Sequence, residues 1–444
     1  MKIAAMRRPT TLLGAATLFS ALIACGTDAD LGGPEPDTRP ALQYQIRDSA
    51  GIRIIENGRP AEGSRLGWEI GAEPAVSIGS VEANADFQLF QVDDALELGD
   101  GRLVVANGGS HQLLVFDEAG NYLTAWGQKG DGPGDLGGVW GGNAFGFRLF
   151  WAEPWPGDSI AVCHGTYSLG LELLSVFDSN GKHGRQVNLG RAGSRTVCRD
   201  VLPDGTILAS RSPEWSGYPP TGIDRPEIDF FLLEGDGSLR AELGTHPGAV
   251  EFQYNDEVGF PPFNFWMHDP PFQQSIVWGA WDGLAIVSNT DRYEIRAYGA
   301  DGTLARIVRR DHQVRTPAEA DLERFKAGRL DGITDADFRQ RMTPVLDALP
   351  LPSSFPAFLP IEMDVLGIQV DALDYLWVRE YRLPGEEDDP PLWTVFDPDG
   401  IVQGFIETPA GLVIYEIGED YILGKVLDEL RVEYVQLWPL DRSG

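Results

Sequence analysis

The feature that most constrains this chain is a unit of short apolar runs, separated by Asp and Gly turns, that recurs from residue 94 onward. Its clearest copy reads Ala95–Leu98, Asp100-Gly101, Leu103–Ala106, a Gly108–His111 loop, Leu113–Asp117, Gly120 and Tyr122–Trp126. Apolar runs of this length between turn formers are strands, because a helix needs a longer periodic stretch, and Asp-Gly supplies the positive φ of a tight hairpin. Four such strands in hairpin order make one antiparallel sheet. Second turns of the same kind fall at Asp178–Gly181, Glu234–Gly237, Ala300–Gly302 and Asp397–Gly400.

Intervals of 61, 56, 65 and 98 residues between the turn glycines are too uneven for a tight solenoid. They suit the four-stranded blades of a β-propeller with loops inserted between strands. Five blades are complete in themselves. A sixth is expected from the two ends of the chain: Tyr421–Leu427 and Val432–Trp438 lack a closing strand, and Ile52–Glu56, Trp68–Ile70 and Ala75–Ile78 lack a preceding partner. Pairing them seals the ring and leaves no open sheet edge to recruit another chain. The fold expected is therefore all-β, a six-bladed β-propeller over residues 49–440. A helical insertion is expected at about 314–350, where Thr316-Pro317-Ala318-Glu319 has capping-box spacing and Leu322 and Phe325 continue an apolar face. A second helix starts near Thr334 and uses Phe338, Met342 and Leu346.

Residues 94–136, with Asp100-Gly101-Arg102-Leu103-Val104-Val105-Ala106-Asn107, Val115-Phe116-Asp117, Gly120 and Gly127-Gln128-Lys129-Gly130-Asp131-Gly132-Pro133-Gly134, resemble bacterial six-bladed propellers of the NHL-repeat type. The resemblance implies the fold. It does not by itself imply an activity, since function lies in sites built on folds.

The N-terminus carries a different signal. Lys2, Arg7 and Arg8 precede an apolar stretch from Leu12 to Ile23, the layout of an export signal peptide over residues 1–24. The stretch is shorter than the roughly 20 residues needed to cross a bilayer. Leu22-Ile23-Ala24-Cys25 resembles the lipobox of bacterial lipoproteins, which implies lipidation of Cys25 and cleavage before it. Gly26 resembles the pattern sent on to an outer membrane, so the expected location is the cell envelope, on the outer membrane or the periplasmic side. Residues 25–48 are expected to be a flexible tether, because Gly, Pro, Asp and Thr dominate its first part. With Cys25 lipidated, Cys163 and Cys198 remain as an even pair in an oxidising compartment, either as a disulfide or as two buried free thiols.

A formal net charge of −32 repels phosphate backbones, which excludes nucleic acid as a natural partner. In a four-stranded blade the first and third turns lie on one face of the disc, and the middle loops and crossovers on the other. The long segments 127–143, 212–227, 245–274, 311–360 and 380–391 all belong to the second set, so one face is expected to be elaborated. Nine aromatics (Phe252, Tyr254, Phe260, Phe263, Phe265, Trp266, Phe272, Trp278 and Trp281) fall within 30 residues there, although aromatics make up only 10% of the chain. They serve either to pack the insertion or as a platform for an envelope protein, peptide or glycan. The candidate binding face comprises His164, Arg199, Arg211, Trp266, His268, Trp278, Asn289 and Arg379, near strand ends or within the insertion. Gly127–Gly134 is read as a crossover in preference to an anion cradle. Glu386-Glu387-Asp388-Asp389 raises calcium as a cofactor, but lacks the order of a dedicated calcium loop.

No Gly-x-Ser-x-Gly elbow and no His-Glu-x-x-His helix occurs. The reading that follows is a membrane-tethered binding module using its elaborated face, with no cofactor. The alternatives are an axial-metal hydrolase or lyase on a propeller scaffold, and a purely structural envelope component.

Overall fold

The computed structural model describes residues 43–79, 88–130, 132–137, 148–166, 171–189, 196–211, 220–256, 263–267, 270–360, 367–386 and 389–444. Four short strands come first: β1 (Tyr44–Ser49), β2 (Ile52–Asn57), β3 (Glu69–Ile70) and β4 (Val76–Ile78). Blade 1 is β5 (Val92–Glu97), β6 (Leu103–Asn107), β7 (Gln112–Phe116) and β8 (Tyr122–Trp126). Blade 2 is β9 (Arg148–Trp155), β10 (Ser159–Thr166), β11 (Leu171–Asp178) and β12 (His183–Asn188). Blade 3 uses β13 (Thr196–Val201), β14 (Ile207–Arg211), β16 (Glu227–Leu233) and β17 (Leu239–Pro247), with β15 (Gly222–Asp224) inserted. After β18 (Glu251–Asp256) and β19 (Phe263–Met267), blade 4 is β20 (Ile276–Trp281), β21 (Leu284–Asn289), β22 (Glu294–Tyr298) and β23 (Leu304–Arg310). Helices α1 (Glu319–Asp331) and α2 (Ala336–Asp347) precede blade 5, formed by β24 (Ile368–Val370), β25 (Leu376–Arg379), β26 (Leu392–Phe396) and β27 (Val402–Glu407). Blade 6 is β28 (Val413–Ile417), β29 (Tyr421–Leu427) and β30 (Glu433–Asp441), completed by β3 and β4.

This is a six-bladed β-propeller of four-stranded antiparallel blades. The innermost strands β5, β9, β13, β20, β24 and β28 each touch the next, and β28 returns to β5. Every blade is covered on both faces by its neighbours, so inner strands read as unbroken apolar runs, as in Leu103–Ala106, where all four residues are buried. Each of the six seams has its own apolar cluster. At the closing seam Leu423 and Val435 of blade 6 pack with Val92, Val105 and Phe116 of blade 1. Closure by the ends is therefore both hydrogen-bonded and packed: Val435 stands opposite Ile78, and Leu440 opposite Ile70. The outer turns follow their sequence. Gly120 has φ of 82° and donates to the carbonyl of Asp117, whose side chain accepts from Ala119 and Asn121.

The structure corrects three expectations. Ile52–Glu56 does not join the sixth blade: β2 runs parallel to β23 as a fifth strand on blade 4, and β1 adds a sixth. The chain then passes blade 5, where Leu66 donates to Phe405, before reaching blade 6. The N-terminal segment is thus a belt along the outer strands of three consecutive blades. The folded part also begins at Tyr44, inside the segment expected to be tether; residues 1–42, including Cys25, lie outside the described residues. Finally, α1 begins two residues later than its capping-box spacing suggests. Ala318 is the N-cap, and the carboxylate of Asp321 accepts its N–H. Helix α2 starts from Asp335, which accepts the N–H of Phe338; Met342 and Leu346 are buried and Phe338 is exposed.

Candidate functional site: the decorated face

The strand order fixes the two faces of the disc. The first-to-second and third-to-fourth turns share one face, and they are short. The middle loops and the crossovers share the other, which receives β15, β18, β19, α1 and α2. There β15, β18 and β19 form a small sheet of their own. Phe252 and Met267 of that sheet pack with Leu322, Met342, Val345 and Leu346 of the helices, and Tyr254, Phe265 and Phe272 border the cluster. Packing therefore accounts for much of the aromatic concentration. Trp281 belongs to the seam between blades 4 and 5, where its Nε1 donates to the carbonyl of Asp374 at 2.9 Å.

The candidate residues divide by their surroundings. Arg199 and Trp278 come together, the guanidinium lying 4.1 Å from the ring centroid, and Arg199 Nε donates to Ser210 at 2.8 Å. His164 is fully buried and holds the crossover in place: Nδ1 accepts the N–H of Gly137 at 3.2 Å, which leaves Nε2 to donate to Ser175 at 2.9 Å. Burial pushes its pKa down to about 4, so the ring is neutral. Arg211 stacks on Phe231, and its buried Nε has no hydrogen-bond partner among the described residues. Asn289 donates to the carbonyl of Pro247, while Arg379 is buried against Trp393. Trp266 contributes its backbone to β19 opposite Gln253, and His268 lies outside the described residues. In the Gly127–Gly134 crossover the carboxylate of Asp135 takes the N–H of Gly132 and the amide of Gln128, so the loop supplies its own anion.

Cys163 and Cys198 are two free, buried thiols at the seam between blades 2 and 3. They lie within hydrogen-bonding reach of each other. Glu172 joins them: its Oε1 accepts the Cys163 thiol at 3.2 Å and the Cys198 N–H at 2.6 Å. Burial raises the Glu172 carboxyl to about 7.

Around the axis, carboxyls from four blades influence one another. Asp94 accepts the N–H of Ala152 on blade 2 at 2.9 Å, and Glu416 accepts that of Glu97 on blade 1 at 2.7 Å. Asp200 likewise accepts from Ala280 on blade 4. A register shift lies at each of Asp94, Asp200 and Glu416, and such a bulge re-aims the side chain toward the next blade. Burial raises all of them, Asp94 to about 8, Glu416 to about 7 and Asp200 to about 6. Glu153 is also raised, by burial first and then by the charges of Asp200, Asp94 and Glu416. Asp94, Asp200 and Glu416 reach from blade to blade as latches, and among the described residues no three His, Cys, Asp or Glu side chains gather closely enough to hold a metal ion.

A surface recess lies elsewhere on the decorated face. A cleft of about 490 Å³ is lined by Phe272, by one stripe of α1 and by the Tyr381–Pro384 loop of blade 5. The stripe is Asp321, Arg324, Phe325, Gly328 and Arg329, the i, i+3, i+4, i+7, i+8 spacing of a single helical face. Phe272, Phe325 and Tyr381 also border an adjoining recess of about 210 Å³. The rings form a connected wall, with Phe272 to Phe325 at 6.3 Å, Phe272 to Phe355 at 5.2 Å and Phe355 to Tyr381 at 5.6 Å. Apart from Phe272 and Phe325, this lining is not anticipated from the sequence. The available signal is Gly328, a glycine inside a helix.

No family model and no curated protein matches the sequence. Among solved structures, a Bacteroides fragilis protein classed as exported is similar at 11% identity, covering 87% of this chain and 99% of that one, with a TM-score of 0.44. A member of the duf4221 family from Bacteroides vulgatus is similar at 11% identity, covering 84% and 98%, with a TM-score of 0.43. Virginiamycin B lyase from Staphylococcus aureus is similar at 9% identity, covering 90% and 99%, with a TM-score of 0.36. At these values the likenesses carry no residue-level correspondence, and the six-bladed ring rests on the pairing of this chain's own strands.

Proposed function

We propose that this chain is an exported, lipid-anchored propeller of the NHL-repeat type that acts as a binding module, taking its ligand in the cleft between α1 and the Tyr381–Pro384 loop. The observation that carries this reading is the convergence of separate insertions on one face to build an aromatic-walled recess. Its volume lies in the roughly 300–1,000 Å³ range of small-molecule sites. Its walls come from two blade crossovers and the middle loop of blade 5, held by a rigid ring, the usual place for binding residues.

Anchoring is supported by the signal-like residues 1–24 and by Cys25 in its lipobox-like setting. Among the described residues no helix is long and apolar enough to cross a membrane. Radiolabelled palmitate should enter the chain in a bacterial host, and Cys25→Ser should abolish incorporation; label retained in that variant would remove the anchor. For binding, the full chain is incubated with the low-molecular-weight fraction of an envelope extract and examined by native mass spectrometry. Tyr381→Ala should lose the bound species while Leu123→Ala, on the outer strand of blade 1, keeps it. Equal retention in both variants would move the site away from the cleft.

A further inference from the structure

We infer that the cleft selects a carboxylate-bearing small molecule with an aromatic or apolar body. This inference rests on the binding-module reading and adds the chemistry of the ligand. The first observation is charge. The chain carries 35 Lys and Arg against 67 Asp and Glu, yet among the described residues the cleft lining holds Arg324, Arg329 and Arg382 against Asp321 alone. An anion repelled by the rest of the surface meets here a local excess of guanidinium, whose planar fork matches a carboxylate.

The second observation is what these arginines already do. Arg329 lies over Phe325 at 5.8 Å and makes no ion pair among the described residues. Arg324 meets Asp321 only at 3.6 Å, with its side chain 58% exposed. Arg329 is in the last turn of α1, where the helix dipole favours a cation; Arg324 is mid-helix and has no such reason to be basic. Arg382 adds a third positive charge from the blade 5 loop, where it donates to the carbonyl of Asp389.

The third observation is Gly328. A glycine within a helix costs about 1 kcal/mol relative to alanine, and is usually retained where something approaches too closely for a side chain. Nothing lies within 4 Å of the position a Cβ would take here, so packing within the protein does not require the glycine. Gly328 instead leaves open its part of the cleft lining, which it shares with Arg324, Arg329 and the Phe272, Phe325 and Tyr381 side chains. Guanidinium groups and aromatic rings lining one cleft fit a ligand with an anionic end and a flat or apolar body.

The test is a ligand-observed NMR titration of the full chain with 3-phenylpropionate, 3-phenylpropionamide and inorganic phosphate. The acid should bind at least tenfold more tightly than the amide, and phosphate should not displace it at equal concentration. Gly328→Leu should abolish binding by filling that part of the cleft, while Gly328→Ala keeps binding and raises the melting temperature, which shows that the helix tolerates a side chain there. Arg324→Gln and Arg329→Gln should each weaken the acid about fivefold or more and leave the amide unchanged. Equal binding of acid and amide, or displacement by phosphate alone, would overturn the ligand class. Binding that survives Gly328→Leu would overturn the location. If none of the three probes binds while the envelope-extract species is still lost in Tyr381→Ala, the ligand class fails and the binding-module reading stands.

Discussion

Asn57 Oδ1 accepts the backbone N–H of Val402 at 3.0 Å, across 345 residues of sequence. The same side chain donates to the carbonyls of Gly400 and Arg309, each at 3.0 Å, and is 3% exposed. One amide thus pins the N-terminal belt into the seam between blades 4 and 5. Asn57→Ala would leave one donor and two acceptors buried without these partners. At the usual cost of unsatisfied buried groups the loss is about 3 kcal/mol, to be read as a lower denaturant midpoint with an unchanged slope. A change below about 0.5 kcal/mol would mean that the belt does not support the ring.

The inter-blade carboxyls predict an unusual pH profile. In the unfolded chain such groups titrate near 3.8 to 4.5, whereas Asp94 is raised to about 8 and Glu416 to about 7 in the ring. Between those limits the folded state binds more protons, so stability falls as pH rises, and the loss is complete above the folded values. His164, lowered from 6.5 to about 4, works in the opposite sense, as do His111, His246 and His312, which burial also lowers, but unfolded imidazoles have lost nearly all their protons by about pH 7.5. The melting temperature should therefore fall between about pH 7.5 and 9. Glu153→Gln should recover part of the loss at the upper end, by removing a charge that faces Asp94 and Asp200. A melting temperature that rises over this interval would contradict the placement of these groups.

Arg310 and Glu380 form a two-pronged ion pair at 2.7 and 3.1 Å, the arginine side chain being fully buried. Arg310 also stacks on Tyr293 at 3.7 Å, and Glu380 accepts the Tyr293 hydroxyl. Arg310→Met should cost about 3–5 kcal/mol because it strands the carboxylate. The double variant with Glu380→Met should recover much of that loss in chemical unfolding. Additive losses would indicate that the two residues act independently.

The contrast between blades and cleft shows what a sequence makes legible. Asp100-Gly101 and Asp117–Gly120 announce their hairpins because turn chemistry is local, and Leu103–Ala106 announces a strand covered on both sides. The belt is silent: nothing in Ile52–Asn57 specifies a parallel partner at Arg306–Arg310, since parallel pairing depends on what the remainder of the ring leaves exposed. His164 and Asn289 were legible as strand-end polar residues but serve crossovers and loops, because a polar side chain near a loop meets backbone groups before it meets a ligand. The cleft brings Phe272, Arg324 and Tyr381 together from three separate segments, and only Gly328 marked the opening locally.

A ligand held in the proposed cleft would lie on the decorated face, opposite the short turns of the plain face. Amide hydrogen exchange of the full chain, measured with and without the envelope-extract fraction, separates the two faces. Protection should concentrate in 270–275, 319–331 and 381–386, with no change at the turns 98–102, 117–121 and 202–206. Protection at those turns, or on neither face, would contradict the account.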